Sequence, residues 1–136
     1  MGTYSLAIGA ASVGWFIAAA ALFFNKPVDV LYRGQESHPA VRTLPNTPGT
    51  IAKILGAVAA QCVLWALVYG QIAPSLGDDW LTRGLGFAAI IFAVKLVPRD
   101  IDRLLLTTYP LRRMGIEFVI GTICALVVGV AFAITV

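Results

Sequence analysis

Four long apolar segments constrain the fold of this chain more than any other feature. They cover about residues 4–24, 54–73, 81–97 and 115–136, and the first two carry no charged residue. A helix needs about 20 apolar residues to cross the hydrocarbon core, and backbone polar groups in lipid must be satisfied within their own segment. The segments therefore predict an all-α membrane protein, a single-domain bundle of four transmembrane helices.

The composition favours the same environment. The chain is 59% hydrophobic and 12% charged, whereas soluble domains average about 25% charged residues. The net charge of +3 would suit nucleic acid, but the basic residues lie between the apolar segments, where orientation signals of membrane proteins lie. We therefore expect membrane lipids as partners and no nucleic acid.

The basic residues also predict how the chain is threaded. One group lies in the loop 25–53: Lys26, Arg33, Arg42 and Lys53. A second group lies in or beside the connection 98–114: Lys95, Arg99, Arg103, Arg112 and Arg113. Only Arg83 lies on the other side of the bundle. Because basic loops stay in the cytoplasm, both connections are predicted to be cytoplasmic and both termini extracytoplasmic.

The second basic group has two interpretations. Its five residues are expected to contact anionic lipid headgroups, or else to dock a partner protein. Lys95, near the end of the third segment, is expected to extend its ammonium group to the headgroups. Lys95, Arg99 and Arg103 would share one helical face if the third helix continues past Pro98.

Small residues recur at helical spacing and predict close helix packing. In the fourth segment the row is Gly121, Ala125, Gly129 and Ala133. Shorter rows are Ala10, Gly14 and Ala18 in the first segment, and Ala52, Gly56 and Ala60 in the second. Whether these rows face the bundle interior or another subunit is left open by the sequence.

Few polar residues lie well inside the segments. Gln61, Cys62, Thr122 and Cys124 would form a polar layer if the second and fourth helices touch. Three interpretations are open: interhelical packing with a hydrogen bond, a small ligand pocket, or a redox pair. No ionisable group other than the thiols is expected at mid-depth. Glu117, near the start of the fourth helix, is predicted to pair with Arg113 one turn earlier.

The residues that catalysis or metal binding would need are scarce. Two cysteines and one histidine, His38, make no metal-ligand pattern. No nucleophile and base stand in a pattern that indicates an active site. We therefore expect no metal, no cofactor and no enzymatic activity.

Three stretches resemble a family of small bacterial four-helix integral membrane proteins. AIGAASVGWFIAAAALFFNKP resembles its first helix, RGLGFAAIIFA its third, and YPLRRMGIEFVIGTICALVVGVAFA its last. The family usually has Trp-Tyr where this chain has Trp15 and Phe16. The resemblance implies a four-helix protein of the bacterial inner membrane, and it assigns no site, since no activity is established for that family.

Two hypotheses for function follow. In the first, the protein is a structural or accessory subunit that packs through its small-residue faces against itself, as a homo-oligomer, or against a larger membrane complex. In the second, it binds or transports a small apolar molecule within the bundle, at the polar layer.

Overall fold

The computed structural model describes residues 2–136, and every regular element in that range is helical. The helices are α1 (Gly2–Phe23), α2 (Lys26–Arg33), α3 (Pro48–Ile72), α4 (Trp80–Ile91), α5 (Val97–Leu106) and α6 (Leu111–Thr135). A 3-10 turn, Ala73–Ser75, extends α3, and a π-helical segment, Phe92–Leu96, joins α4 to α5. Four helical stretches are long and apolar enough to cross a membrane. The predicted all-helical fold with four candidate spans is confirmed.

The second span begins earlier than its apolar core suggests. Its helix starts at Pro48 because the side chain of Thr47 accepts the N–H of Thr50 at 3.2 Å and caps the first turn. Proline is well suited to that first turn, where its missing N–H is not needed. The predicted loop 25–53 therefore contains α2 and the first six residues of α3.

The third span is longer than the predicted segment 81–97. Trp80–Leu106 forms one continuous candidate span that runs through Pro98. A proline inside a helix clashes with the carbonyl four residues earlier, here that of Val94. Val94 lies in the π segment (Phe92–Leu96), where the turn is wider. The wide turn relieves the clash, so the helix continues where the sequence predicts a connection.

Helix α6 is the centre of the bundle. It packs along α1 on one side and along α4 on the other, whereas α3 packs mainly on α1. An aromatic cluster of Tyr69, Phe87 and Phe132 joins α3, α4 and α6, with ring centroids 4.8 Å apart for Tyr69 and Phe87 and 5.7 Å apart for Phe87 and Phe132. Such pairs contribute about 0.5–1.5 kcal/mol each beyond their buried area.

The small-residue row of α6 faces the bundle interior. A Cβ atom added at Gly129 would stand 2.9 Å from the Cβ of Ala88, and one at Gly121 would stand 2.9 Å from Leu96. Ala125 and Ala133 of the same row are buried. The row therefore lets the third span approach α6 closely, and it is not available to another protein.

The row of α1 is divided between two environments. Gly14 packs against Val127 of α6, whose side chain would be 2.8 Å from an added Cβ. Ala10 is exposed on the outer surface of the bundle. Only part of this row therefore contributes to packing within the chain.

Candidate functional site

Lys95 lies near the middle of the third candidate span, Trp80–Leu106. Its ammonium donates a hydrogen bond to Oε1 of Gln61 and lies 3.8 Å from the centre of the Trp15 ring. All three residues are near the middle of their candidate spans. The sequence predicted that this ammonium extends to the headgroups, whereas the structure directs it toward Gln61 and Trp15. Lys95 is therefore an ionisable group at the level of Gln61, where the sequence predicted only thiols.

Two thiols accompany this lysine. Cys62 and Cys124 are buried and free, and both lie in the neighbourhood of Lys95. The Sγ of Cys124 lies 3.9 Å from the carbonyl oxygen of Trp15. We call Trp15, Gln61, Cys62, Lys95 and Cys124 the midspan layer.

The midspan layer differs from the predicted polar layer in three residues, because it includes Trp15 and Lys95 and lacks Thr122. The structure places Gln61, Cys62 and Cys124 around Lys95, which the sequence assigned elsewhere. Thr122 donates instead to the carbonyl of Phe118 at 2.8 Å, within its own helix. Its hydroxyl is therefore satisfied locally.

The charge of Lys95 has no carboxylate beside it. The ion pairs of residues 2–136 involve Arg33, Arg99, Arg103 and Arg113, and none includes Lys95. A lysine at the centre of a transmembrane helix costs about 2.5–3.5 kcal/mol on insertion scales. A desolvated cation–π contact returns about 2 kcal/mol or more of such a cost. The ammonium is thus hydrogen-bonded but has no carboxylate to neutralise its charge, which makes Lys95 a candidate functional residue.

A second polar assembly lies at the charged end of the bundle, around Glu117. Its Oε1 accepts hydrogen bonds from the hydroxyls of Tyr32 at 2.8 Å and Tyr109 at 2.5 Å. Its Oε2 accepts from Arg103 at 2.5 Å, and Nε of Arg113 lies 3.5 Å from Oε1. The predicted pair of Glu117 and Arg113 is therefore present. We call these five residues the charged cluster.

The arginines of the charged cluster are held by the protein itself. Arg113 is only 7% exposed, and its guanidinium lies 3.6 Å from the centre of the Tyr32 ring. It also donates to the hydroxyl of Tyr109 at 3.0 Å and to the carbonyl of Tyr32 at 3.3 Å. Arg99 binds Asp100 through two hydrogen bonds of 2.8 and 3.1 Å. Among the five cations assigned to headgroups or a partner, Arg112 is the one that is exposed.

The tyrosines of the charged cluster remain protonated at neutral pH. Burial, followed by the negative charge of Glu117, raises the pKa of Tyr32 far above its usual value. Burial and the hydrogen bond to Glu117 likewise raise the pKa of Tyr109. Both hydroxyls therefore stay donors to the carboxylate, and the charged cluster keeps its hydrogen bonds across the physiological pH range.

A cleft of about 470 Å³ opens beside the charged cluster. Arg42, from the loop between α2 and α3, faces it together with Arg103 and Arg113. The cleft is lined by three positively charged guanidinium groups and one negatively charged carboxylate, that of Glu117, so its net charge is positive. Guanidinium groups suit phosphate and carboxylate oxygens. The cleft is therefore compatible with the predicted contact to anionic lipid headgroups.

Residues 2–136 contain no group of three or more His, Cys, Asp and Glu side chains that could hold a metal ion. His38 lies in the loop after α2, where its Nδ1 accepts a hydrogen bond from the N–H of Ala40 at 3.2 Å. This hydrogen bond stabilises the local conformation of the loop.

No protein-family model, curated protein or solved structure matches this chain. Function therefore has to be argued from its own geometry. The midspan layer is the more informative of the two assemblies, because one of its charges is left uncompensated.

Proposed function

We propose that this protein is a structural or accessory subunit that packs, through the outward face of α3, against a larger membrane complex or a second copy of itself. The observation that carries the proposal is the contrast between the two sides of α3. One side packs mainly on α1, with Val58, Cys62, Ala66 and Tyr69 buried. The other side is exposed along the whole helix.

The outward face of α3 has the form of a helix-packing surface. Ala52, Gly56 and Ala60 are all exposed, and no atom lies within 4 Å of a Cβ added at Gly56. Leu64 and Leu67, one to two turns further on, are exposed as well. Small residues let two helices approach closely in lipid, where packing drives association. The row of α6 is used within the chain and the row of α1 is used in part, whereas all three residues of the α3 row are left for a partner.

A substitution on α3 tests this proposal. In Gly56→Leu, a bulky side chain projects from the outward face without touching the rest of the bundle. Gly9→Leu is the matched control, because Gly9 of α1 is also exposed with nothing within 4 Å of its added Cβ. The mass of the particle extracted gently from native membranes is the measurement.

Wild type and Gly9→Leu are expected in a particle heavier than the single 14.4 kDa chain. Gly56→Leu is expected to run mostly as the single chain, with unchanged helicity. A wild-type protein that runs alone would overturn the accessory role. An assembly that Gly56→Leu leaves intact would move the contact away from α3.

We further propose that the charged end faces the cytoplasm of a bacterial inner membrane, with both termini outside. The distribution of basic residues supports this orientation. Ser75→Cys, at the outer end of α3, should react with an impermeant maleimide on intact cells. Ser37→Cys, in the loop after α2, should react only after permeabilisation. Cys62 and Cys124 are buried and give little background. The reverse labelling pattern would invert the threading.

A second candidate function is binding of a small apolar molecule. A groove of about 380 Å³ between α5 and α6 supports it, because Ile101, Leu104, Met114 and Phe118 line it. Its volume falls in the range of small-molecule sites. Met114→Trp would fill the groove. In native mass spectrometry of the delipidated proteins, wild type should retain a bound lipophilic molecule and Met114→Trp should not. An equal signal from both proteins would refute binding of an apolar molecule in this groove.

A further inference from the structure

The uncompensated charge of Lys95 cannot be neutralised by a second copy of this chain. The seven acidic residues lie in loops, in the short helix α2 or toward the ends of the candidate spans: Asp29, Glu36, Asp78, Asp79, Asp100, Asp102 and Glu117. Glu117 and Asp100 are already paired with arginines. A second copy would bring its own Lys95 to the same depth and add a like charge. The counter-charge, if the assembly contains one, comes from a different molecule.

Lys95 can be reached from the lipid-facing side of the bundle. Its own side chain is partly exposed, and Val94, beside it in the π segment, is 63% exposed. Leu64, one turn after Gln61 on α3, is 62% exposed. The π segment packs on α6, and the hydrogen bond from Lys95 to Gln61 connects it to α3. A neighbouring helix seated along α3 would therefore pass close to the ammonium group.

We propose that Lys95 is the docking point for a membrane-spanning helix of a different protein, and that this helix places an Asp or Glu carboxylate beside Lys95 at midspan. The proposal rests on the accessory role proposed above and specifies the chemical group that the partner must carry.

Gln61 provides hydrogen-bond donors beside Lys95. A lysine ammonium only donates hydrogen bonds, so the amide oxygen of Gln61 must face Lys95. The amide N–H groups of Gln61 are thereby left as donors for the arriving carboxylate.

A helix-borne carboxylate suits this depth better than a lipid carboxylate does. A lipid acid keeps its headgroup at the interface, whereas Lys95 lies near the middle of its span. A partner helix with an isolated carboxylate bears the same unfavourable burial as Lys95. Pairing the two relieves both charges at once, and removing one partner leaves the other exposed to hydrocarbon. Complementary charge then selects this partner against helices that are merely apolar.

A designed helix provides a probe of stated chemistry. It is a leucine-rich membrane-spanning peptide of about 20 residues with one central Asp, and its matched control has Asn there. The full chain and each peptide are reconstituted in vesicles, and association is followed by energy transfer between attached fluorophores. Wild type is expected to bind the Asp helix about tenfold more tightly than the Asn helix.

Four variants make the result specific to Lys95. Lys95→Met should abolish the preference for Asp, and Lys95→Arg should retain most of it. Lys53→Met, at the exposed end of α3, should leave it unchanged. Lys95→Asp should reverse it, favouring a helix with a central Lys, which keeps the test decisive should Lys95→Met fail to insert. Equal binding of the Asp and Asn helices to wild type would overturn the proposal. So would Lys95-dependent binding of oleate without binding of the Asp helix.

The same proteins separate this inference from the accessory role. A wild type that runs alone from native membranes, yet prefers the Asp helix, would refute the accessory role and keep the Lys95 site. A native complex that survives Lys95→Met, combined with no preference for the Asp helix, would refute the Lys95 site and keep the accessory role.

Discussion

The midspan layer and the charged cluster both hold cations away from bulk water, but they satisfy them differently. In the charged cluster, Arg103 and Arg113 share the carboxylate of Glu117, and two tyrosines complete its hydrogen bonds. In the midspan layer, Lys95 has only an amide oxygen and an aromatic ring. A network that satisfies itself stabilises the fold. A cation without its counter-charge lowers the stability of the isolated chain, and the partner helix proposed above would supply that counter-charge.

The strongest way to break this contrast is to remove the carboxylate of the charged cluster. Glu117→Gln keeps the shape of the side chain but leaves Arg113 without a counter-charge and Arg103 with only Asp100, 4.0 Å away. Breaking a buried ion pair in this way costs about 3–5 kcal/mol. We expect a large drop in the thermal midpoint in lipid–detergent bicelles. An unchanged thermal midpoint would mean that the ion pairs of the charged cluster do not contribute to the stability of the fold.

A stability change of the opposite sign is expected at Lys95. Lys95→Met removes a charge whose burial costs about 2.5–3.5 kcal/mol, and it also removes the contact with Trp15 that returns about 2 kcal/mol, so the isolated bundle should become more stable by about 1 kcal/mol. The measurement is the same thermal midpoint. Lys53→Met, at an exposed position of α3, serves as the control and should change little. If Lys95→Met destabilised the protein as much as Glu117→Gln does, both the midspan layer and the charged cluster would stabilise the fold, and the contrast between them would be refuted.

A smaller change within the charged cluster tests how far its hydrogen bonds add to its ion pairs. Tyr32→Phe removes one donor to Glu117 but keeps the ring under Arg113 and its edge contact with Phe23, whose centroid is 4.9 Å away. Hydrogen bonds to charged groups contribute about 1.5–3 kcal/mol. The denaturation midpoint should fall by a corresponding amount, less than in Glu117→Gln. A fall as large as that one would show that the tyrosine, not the ion pairs, holds the cluster.

The smallest effect within the charged cluster is a pH dependence. The folded-state pKa of Tyr32 is raised above its ordinary value of 10.0. Its contribution is therefore complete below pH 10 and is lost as the pH rises toward the folded-state pKa. At pH 11, one unit above the ordinary pKa, wild type should lose about 1.4 kcal/mol of stability through Tyr32. Tyr32→Phe should show a shallower decline, and parallel curves for both proteins would refute this assignment.

Local patterns predict the four spans well, because apolar length is a property of each segment alone. The pair of Glu117 and Arg113 was predictable for the same reason, since four residues separate them on one helix. The rest of the charged cluster was not predictable. Tyr32 lies 85 residues from Glu117, and no local pattern joins them. Lys95 was misplaced because the charges after it resemble a helix end, whereas the π segment carries the helix past Pro98.

The π segment also changes the register of the third span. Each residue of an α-helix turns the chain by about 100°, and a π turn accommodates one residue more than an α turn. The span is therefore two α-helices that differ in rotational phase by that one residue. Before the offset, Gly84 and Ala88 face α6; after it, Arg103 faces Glu117. Without the extra residue, one of these two contacts would be turned out of alignment with α6. A single wide turn thus lets one helix meet the same neighbour with an apolar face at one end and a charged face at the other.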